Sequence, residues 1–387
     1  MNMASRSRSR TQIRCGLLFM LLMSGAPLTA VELQPGTMVL ATFQTAQQTL
    51  KIATSADGTN FQMLLHNGSE SLYSAPAGAV RDPSICHVGD SYYVAYTAGN
   101  FGDAQHFSII RSQDLQTWTP VTNVDTSSLA PTHTWAPELF ADDDGTVTAF
   151  VALETTNNQF KLYYSTATDA SLSNWTVPAP VGGAFSGRVC IDPHVIKKGG
   201  IYYLSYRHYD NGGTGDYIEI ATSPSLTTGY TLLKTGDFAG WGGGGKEGPC
   251  LTWREDGKWR MYLSDSTQPL SPIVFSDSLD NMTTWSPLTL IASNTNIPPL
   301  AHGTAITIPR KVPDFTLQLI AATQDAHLSF TAAPGLNYIL QYRNSLGSGP
   351  WLTLQNFGSP ATTQTLGATD PGALQNAMRF YRVIGTH

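Results

Sequence analysis

Five short segments recur along the chain, and the acids and prolines in them limit what it can fold into. They are Arg81-Asp82-Pro83-Ser84-Ile85, Trp135-Ala136-Pro137-Glu138-Leu139, Ile191-Asp192-Pro193-His194-Val195, Lys246-Glu247-Gly248-Pro249-Cys250 and Ala301-His302-Gly303-Thr304. With Asp82, Pro137, Asp192, Glu247 and His302 as markers, every step is 55 residues. A period of that length with strand-like content in each unit signals a propeller or a similar repeat array. In such a ring, equivalent positions converge on one axis, so carboxylates far apart in sequence would share a pocket.

Each marker is followed by a short apolar stretch, a polar turn and a strand dense in aromatic and β-branched residues. Asp90 to Tyr96, Gly145 to Val151, Gly200 to Tyr206 and Gly257 to Leu263 are the four copies. A Gly or Asp turn ahead of such a run is hairpin chemistry. A third strand with a tail rich in Ser, Asp and Trp completes the unit, as in Phe107 to Trp118, Lys161 to Trp175 and Ile273 to Trp285, with a weaker copy at Ile218 to Tyr230. Trp118, Trp175 and Trp285 recur in phase and read as packing residues. The fifth unit stops after Ile308, and its missing strands are found at Met38 to Phe43 and Leu50 to Phe61. The expectation is an all-β, five-bladed β-propeller whose N-terminal strands complete the last blade and hide its sheet edges.

Three segments organise the chain. Residues 1–30 hold Arg6, Arg8, Arg10 and Arg14, then an apolar run too short to span a bilayer, then a small-residue end. This is the pattern of a secretory signal peptide, which implies a secreted or periplasmic protein with no membrane span. Residues 31–312 carry the repeat, and residues 313–387 break it. Short strands at Phe315 to Ile320, Leu328 to Thr331, Asn337 to Tyr342, Trp351 to Leu354 and Arg379 to Ile384 suggest a small β-sandwich of fibronectin or Ig-like type, an accessory module.

Removing residues 1–30 takes the formal net charge from −6 to −10, an unfavourable balance for binding a phosphate backbone. No nucleic-acid partner is expected, and the chain is read as a monomer. Cys86, Cys190 and Cys250 lack metal-site spacing and read as small buried hydrophobes.

An unpaired buried charge is costly and shifts its own pKa, so three inward acids need a reason. Asp82, Asp192 and Glu247 would approach one pocket from different blades. Two opposed carboxyls flanking a sugar bond are the equipment of glycoside hydrolysis, one protonating the leaving oxygen and the other activating water. A third nearby would raise the pKa of the acid by repulsion. The competing explanation is turn chemistry beside proline, as at Asp142-Asp143-Asp144-Gly145, but turns do not select acids in phase. Gly242 to Gly245 precedes no clear helix and reads as a flexible loop at the pocket rim.

Taken together, Arg81-Asp82-Pro83-Ser84, Trp135-Ala136-Pro137-Glu138, Ile191-Asp192-Pro193-His194 and Glu247-Gly248-Pro249 resemble the motif set of glycoside hydrolase family 43 over about residues 36–310. That resemblance implies an inverting glycosidase with Asp82 as general base, Asp192 as the tuning and orienting carboxylate and Glu247 as general acid. It implies a base-to-acid separation of roughly 6.5–9.5 Å. His302 matches a histidine that in several members lies near a calcium ion in the central channel. It is therefore carried as a candidate metal ligand as well as a substrate contact, although calcium prefers oxygen donors. The chemistry itself requires no cofactor.

Trp135 is a candidate sugar-stacking wall, with an inter-blade core aromatic as the alternative. Glu138, Arg188, Arg207-His208 and Trp241 complete the substrate-binding candidates, with a surface or ion-pair role as the alternative for Arg188 and Arg207-His208. The expected substrate is an oligo- or polysaccharide, and the expected activity is an exo-acting α-L-arabinofuranosidase on plant-type side chains. β-Xylosidase, endo-arabinanase and galactan- or galactofuranose-directed activity stand as alternatives within the family. A non-catalytic carbohydrate-binding propeller is the reading from another class.

Overall fold

The computed structural model describes residues 33, 36–76, 78–185, 187–209, 215–254, 256–293, 300–308, 315–320, 322–332, 337–344, 351–376 and 378–386. The expected signal segment, residues 1–30, and the link at Pro309 to Pro313 lie outside them. The chain is all-β, and two three-residue 3-10 turns are the helical elements among the described residues.

Four antiparallel sheets are built as meanders from the inside outward. Their innermost strands are Arg81–Val88, His133–Ala141, Cys190–Lys198 and Lys246–Trp253. A further sheet has Ala301–Thr307 innermost, followed by Met38–Phe43, Lys51–Ser55 and Asn60–Met63, with Ala292–Ser293 at its edge. The N-terminal strands thus complete the last sheet, as the truncated fifth repeat predicts. The innermost strands touch in cyclic order, and the strand carrying His302 touches the one carrying Asp82.

Successive side chains of a strand face opposite ways, so each strand supplies two cores. Val94 and Tyr96 pack toward Val39 and Ile52 of the last sheet, while Tyr93 and Ala95 pack toward Leu139 and Ala149 of the next. Similar cores join the remaining neighbours, around Leu204 with Phe150, Met261 with Ile220, and Tyr262 with Leu40. Trp118 and Trp285 are buried in these inter-sheet cores, and Trp175 packs against one. Cys86, Cys190 and Cys250 are free and buried, behaving as small hydrophobes.

One local distortion repeats on every innermost strand. The pairing register skips between Arg81 and Ser84, Trp135 and Glu138, Ile191 and His194, Glu247 and Cys250, and again opposite Thr42 and Phe43. At each skip one residue has positive φ: Asp82 (48°), Ala136 (46°), Asp192 (55°), Gly248 (59°) and His302 (21°). A bulge of this kind kinks the strand and re-aims its side chains. The equivalent positions are therefore Asp82, Ala136, Asp192, Gly248 and His302, which corrects the uniform 55-residue markers at two places. Pro137 and Glu247 each sit one residue off the kinked position. Gly248 is glycine for a second reason, since a Cβ there would run into the ring of His302.

Two residues beyond each kink stands a second ring, Ser84, Glu138, His194, Cys250 and Thr304, all buried. Its members stitch neighbouring sheets together. Leu139 N–H donates to Ser84 Oγ at 2.9 Å, Ala305 N–H to Cys250 Sγ at 3.3 Å and Ile85 N–H to Thr304 Oγ1 at 3.0 Å. Ser84 Oγ donates to Glu138 Oε2 at 2.5 Å, and His194 Nδ1 lies 2.7 Å from Glu138 Oε1. His194 Nε2 donates to the Leu251 carbonyl at 2.9 Å, while Nδ1 faces Glu138 as an ion pair. Burial disfavours the charge on His194, but the neighbouring Cys250 and Glu138 outweigh it and hold its pKa well above the usual histidine value.

The C-terminal residues form two three-stranded sheets. One has the order Phe315–Ile320, Asp325–Ala332, Gln364–Asp370, the other Leu352–Phe357, Asn337–Arg343, Phe380–Thr386. Leu328, Phe330, Tyr338 and Leu340 fill the space between them. The strand Gln364–Asp370 escapes a sequence reading because Gln, Thr, Gly and Asp dominate it.

The buried pair predicts that Glu138→Ala, which strands a charged His194, destabilises the fold by about 3–5 kcal/mol in chemical denaturation. Gly248→Ala, with positive φ and a blocked Cβ, should cost about 1–3 kcal/mol by the same measurement.

Candidate active site

Because of the kink, two consecutive residues of an innermost strand face the same way. A cavity of ≈320 Å³ opens at that end of the central channel, and both residues of the pair line it: Arg81 with Asp82, Ile191 with Asp192. Trp135, Glu247 and His302 come from the other sheets. Thr97, Phe101, Arg207 and Tyr209 complete the wall. The three acids expected to converge thus share one cavity, although Glu247 enters from the residue before the kink.

Their surroundings differ. Asp82 accepts from Thr97 Oγ1 at 2.9 Å and lies 3.1 Å from His302 Nδ1. Burial opposes its ionisation, yet His302, Arg81 and the threonine bond hold its pKa below the ordinary aspartate value. His302 responds in kind: burial works against its charge, but Asp82, Asp192 and Glu247 lift its pKa to about 9. Glu247 goes the other way, its pKa raised first by burial and then by Asp192, with His302 and Arg207 resisting. Asp192 is buried and accepts the Gly248 N–H at 3.0 Å, which fixes it beside Glu247. One cavity therefore holds a carboxyl whose pKa is lowered and another whose pKa is raised. That division of labour is what acid–base cleavage of a glycosidic bond requires.

Trp135 stands at the wall, its ring stacked on Phe160 at 4.4 Å and its Nε1 donating to the Phe101 carbonyl at 2.6 Å. Phe101 is 65% exposed at the mouth, and its ring lies 4.9 Å from the Arg81 guanidinium. Four expected substrate contacts are placed elsewhere. Glu138 lies one ring deeper, committed to His194 and Ser84. Arg188 bonds Glu219, a buried acid that also accepts from Tyr206 Oη at 2.7 Å. His208 follows Arg207 on a regular strand, so the pleat turns it to the opposite face. Trp241 packs on Phe238 and Trp285 at 5.5 and 5.3 Å in an inter-sheet core. The glycine run is tied down, with Gly242 N–H on Asp237, Gly244 N–H on the Asp216 carbonyl and Gly245 O accepting from Ser266, and it does not line the cavity.

Arg81, Thr97, Phe101, Ile191 and Tyr209 were not singled out by the sequence. Arg81 and Ile191 adjoin the acids, and a kink assigned to each Asp-Pro would have pointed to both. Calcium takes six to eight oxygen ligands. Here His302 Nδ1 is held by Asp82, and no group of three or more His, Cys, Asp or Glu side chains among the described residues is arranged to hold a metal ion. These residues do not fit a protein-built calcium cage.

No curated protein gives a significant match. Among solved structures, a xylan β-1,4-xylosidase from Bacillus halodurans C-125 is 13% identical with a TM-score of 0.51, over 79% of this chain and 70% of that one. An endo-1,4-β-xylanase from Bacteroides thetaiotaomicron VPI-5482 is 18% identical (TM-score 0.48, 69% of this chain and 93% of that one). An α-L-arabinofuranosidase from Clostridium thermocellum ATCC 27405 is 14% identical (TM-score 0.47, 67% and 91%). The xylosidase likeness extends to the fold. The model of the glycosyl hydrolases family 43 matches residues 75–293, more than half the chain and all three carboxylates. The chain belongs to glycosyl hydrolases family 43, and it is a glycoside hydrolase.

Proposed function

We propose that this glycoside hydrolase is an exported, inverting, exo-acting α-L-arabinofuranosidase that trims plant-type polysaccharide side chains. The observation that carries the acid–base assignment is the opposite environment of Asp82 and Glu247 within one cavity. Asp82, held ionised, takes the proton of the attacking water. Glu247, held protonated, gives its proton to the leaving glycosidic oxygen. Asp192 stays beside Glu247 and raises its pKa by like charge. Trp135 supplies a flat apolar wall for the sugar ring.

The cavity, ≈320 Å³, is at the small end of ligand sites, about 300–1,000 Å³, which favours a single terminal sugar over a long chain. Residues 31–312 would form the catalytic unit, residues 313–387 an accessory module, and residues 1–30 an export signal removed from the mature monomer.

Asp82→Asn and Glu247→Gln should each lower kcat/KM on arabino-oligosaccharides by about 10²–10⁴-fold. The first sugar released should carry inverted anomeric configuration when followed by proton NMR. Turnover of a panel of nitrophenyl arabinofuranoside, xyloside and galactofuranoside tests the sugar, and a preference for xyloside would replace the arabinofuranosidase reading.

The two pKa shifts also set the pH profile. Activity falls at low pH only as Asp82 takes up a proton, below the usual carboxylate range. It falls at high pH as Glu247 loses its proton, above that range. A kcat/KM profile with both limbs below the ordinary aspartate value would contradict the assignment.

A further inference from the structure

Arg207 joins two acids with different tasks. Its Nη1 donates to Glu247 Oε2 at 3.1 Å, while its Nη2 bonds Asp216, whose carboxyl is fully buried. The three come from two sheets. Arg207 is the last residue but one of the strand Ile201–His208, Asp216 immediately precedes the neighbouring strand Tyr217–Ser223, and Glu247 is the second residue of the next innermost strand. The guanidinium also lies 5.4 Å from the Tyr209 ring, so it is held from three sides.

This contact poses a problem for a proton donor. A cation bonded to a carboxyl favours the ionised form, and Glu247 has to stay protonated. The groups facing Glu247 are Asp192 and Asp82, which favour its protonated form, and His302 and Arg207, which favour the ionised one. Those facing Arg207 are Asp192, Glu247, Asp216 and Tyr209. In a buried site little water screens an ion pair, so a carboxylate bonded to a guanidinium offsets part of its field at neighbouring groups. Asp216, bonded to Nη2 where Glu247 bonds Nη1, does so here, in addition to Asp192, whose charge acts on Arg207 more strongly still.

We infer that Arg207 is a positioning residue for Glu247 and that Asp216 neutralises it, so that Glu247 receives a hydrogen bond without the full field of a cation. With Oε2 engaged as acceptor of the Arg207 N–H, the acid's proton is left on Oε1, directed to the leaving oxygen. The inference rests on the reading of Glu247 as the general acid and adds to it the device that sets its orientation and charge.

The test uses the full-length protein, with 4-nitrophenyl and 2,4-dinitrophenyl α-L-arabinofuranosides and an arabino-oligosaccharide as substrates. Asp216→Asn keeps the shape and a hydrogen-bonding side chain but unmasks the guanidinium. The basic limb of kcat/KM should then move down by about one pH unit. Arg207→Gln combined with Asp216→Asn removes both charges together, so Asp216 is not left without its cation. It should move the basic limb up and lower kcat/KM on the oligosaccharide by about 10–10²-fold, while the dinitrophenyl substrate, which needs no acid, is largely spared. A basic limb unmoved in Asp216→Asn, or equal losses on all substrates in the double variant, would overturn the inference. Glu247→Gln is run alongside. If it too loses activity equally on every substrate, the acid assignment itself fails, which separates that failure from a failure at Arg207.

Discussion

Everything in the site depends on a backbone kink that each innermost strand makes once. A regular strand sends successive side chains to opposite faces, so it can present one residue in two to a central channel. The left-handed residue at Asp82, Ala136, Asp192, Gly248 and His302 suspends that alternation for one step. Side chains on either side of the step then point to the same end. Such conformations are unfavourable for non-glycine residues by about 1–3 kcal/mol each, and they persist where the surroundings over-determine them. Here the surroundings are inter-sheet cores on both flanks and the hydrogen-bonded ring beneath.

Charge is layered along the channel. The upper level holds Asp82, Asp192, Glu247, His302 and Arg207, coupled so that the pKa of Asp82 is lowered and that of Glu247 raised. The level beneath holds the Glu138–His194 pair with hydroxyl and thiol neighbours. Its polar atoms are engaged with each other and with backbone groups of adjacent sheets. That lower level is structural in the plain sense: it joins the sheets two residues below the acids and so holds the kinks in place.

How much of this was legible depends on the kind of signal. The closure of the last sheet by Met38–Phe43 was legible, because a truncated repeat at one end and an orphan repeat at the other can be matched by composition. That Asp82, Asp192 and Glu247 share a cavity was legible from their period, although Glu247 sits one residue before the position equivalent to the two aspartates. The fates of Glu138, Arg188, His208 and Trp241 were not. Glu138 shares a segment with a wall residue, yet lies beyond the kink, paired with His194. His208 and Arg207 are neighbours in sequence, and the pleat alone separates a cavity residue from an outward one. Arg188 and Trp241 were committed by partners, Glu219 and Trp285, that lie far away along the chain.

The amino-acid order by itself determined the all-β repeat, the ring closure, the family and the three acids, since each is written in local composition recurring at a fixed interval. The tertiary structure alone decided which acid has its pKa lowered and which has it raised. Those shifts follow from burial, from His302 against Asp82 and from Asp192 beside Glu247, all contacts between different sheets. A carboxyl's pKa is a property of the field around it, and that field exists only once the sheets have closed around one axis.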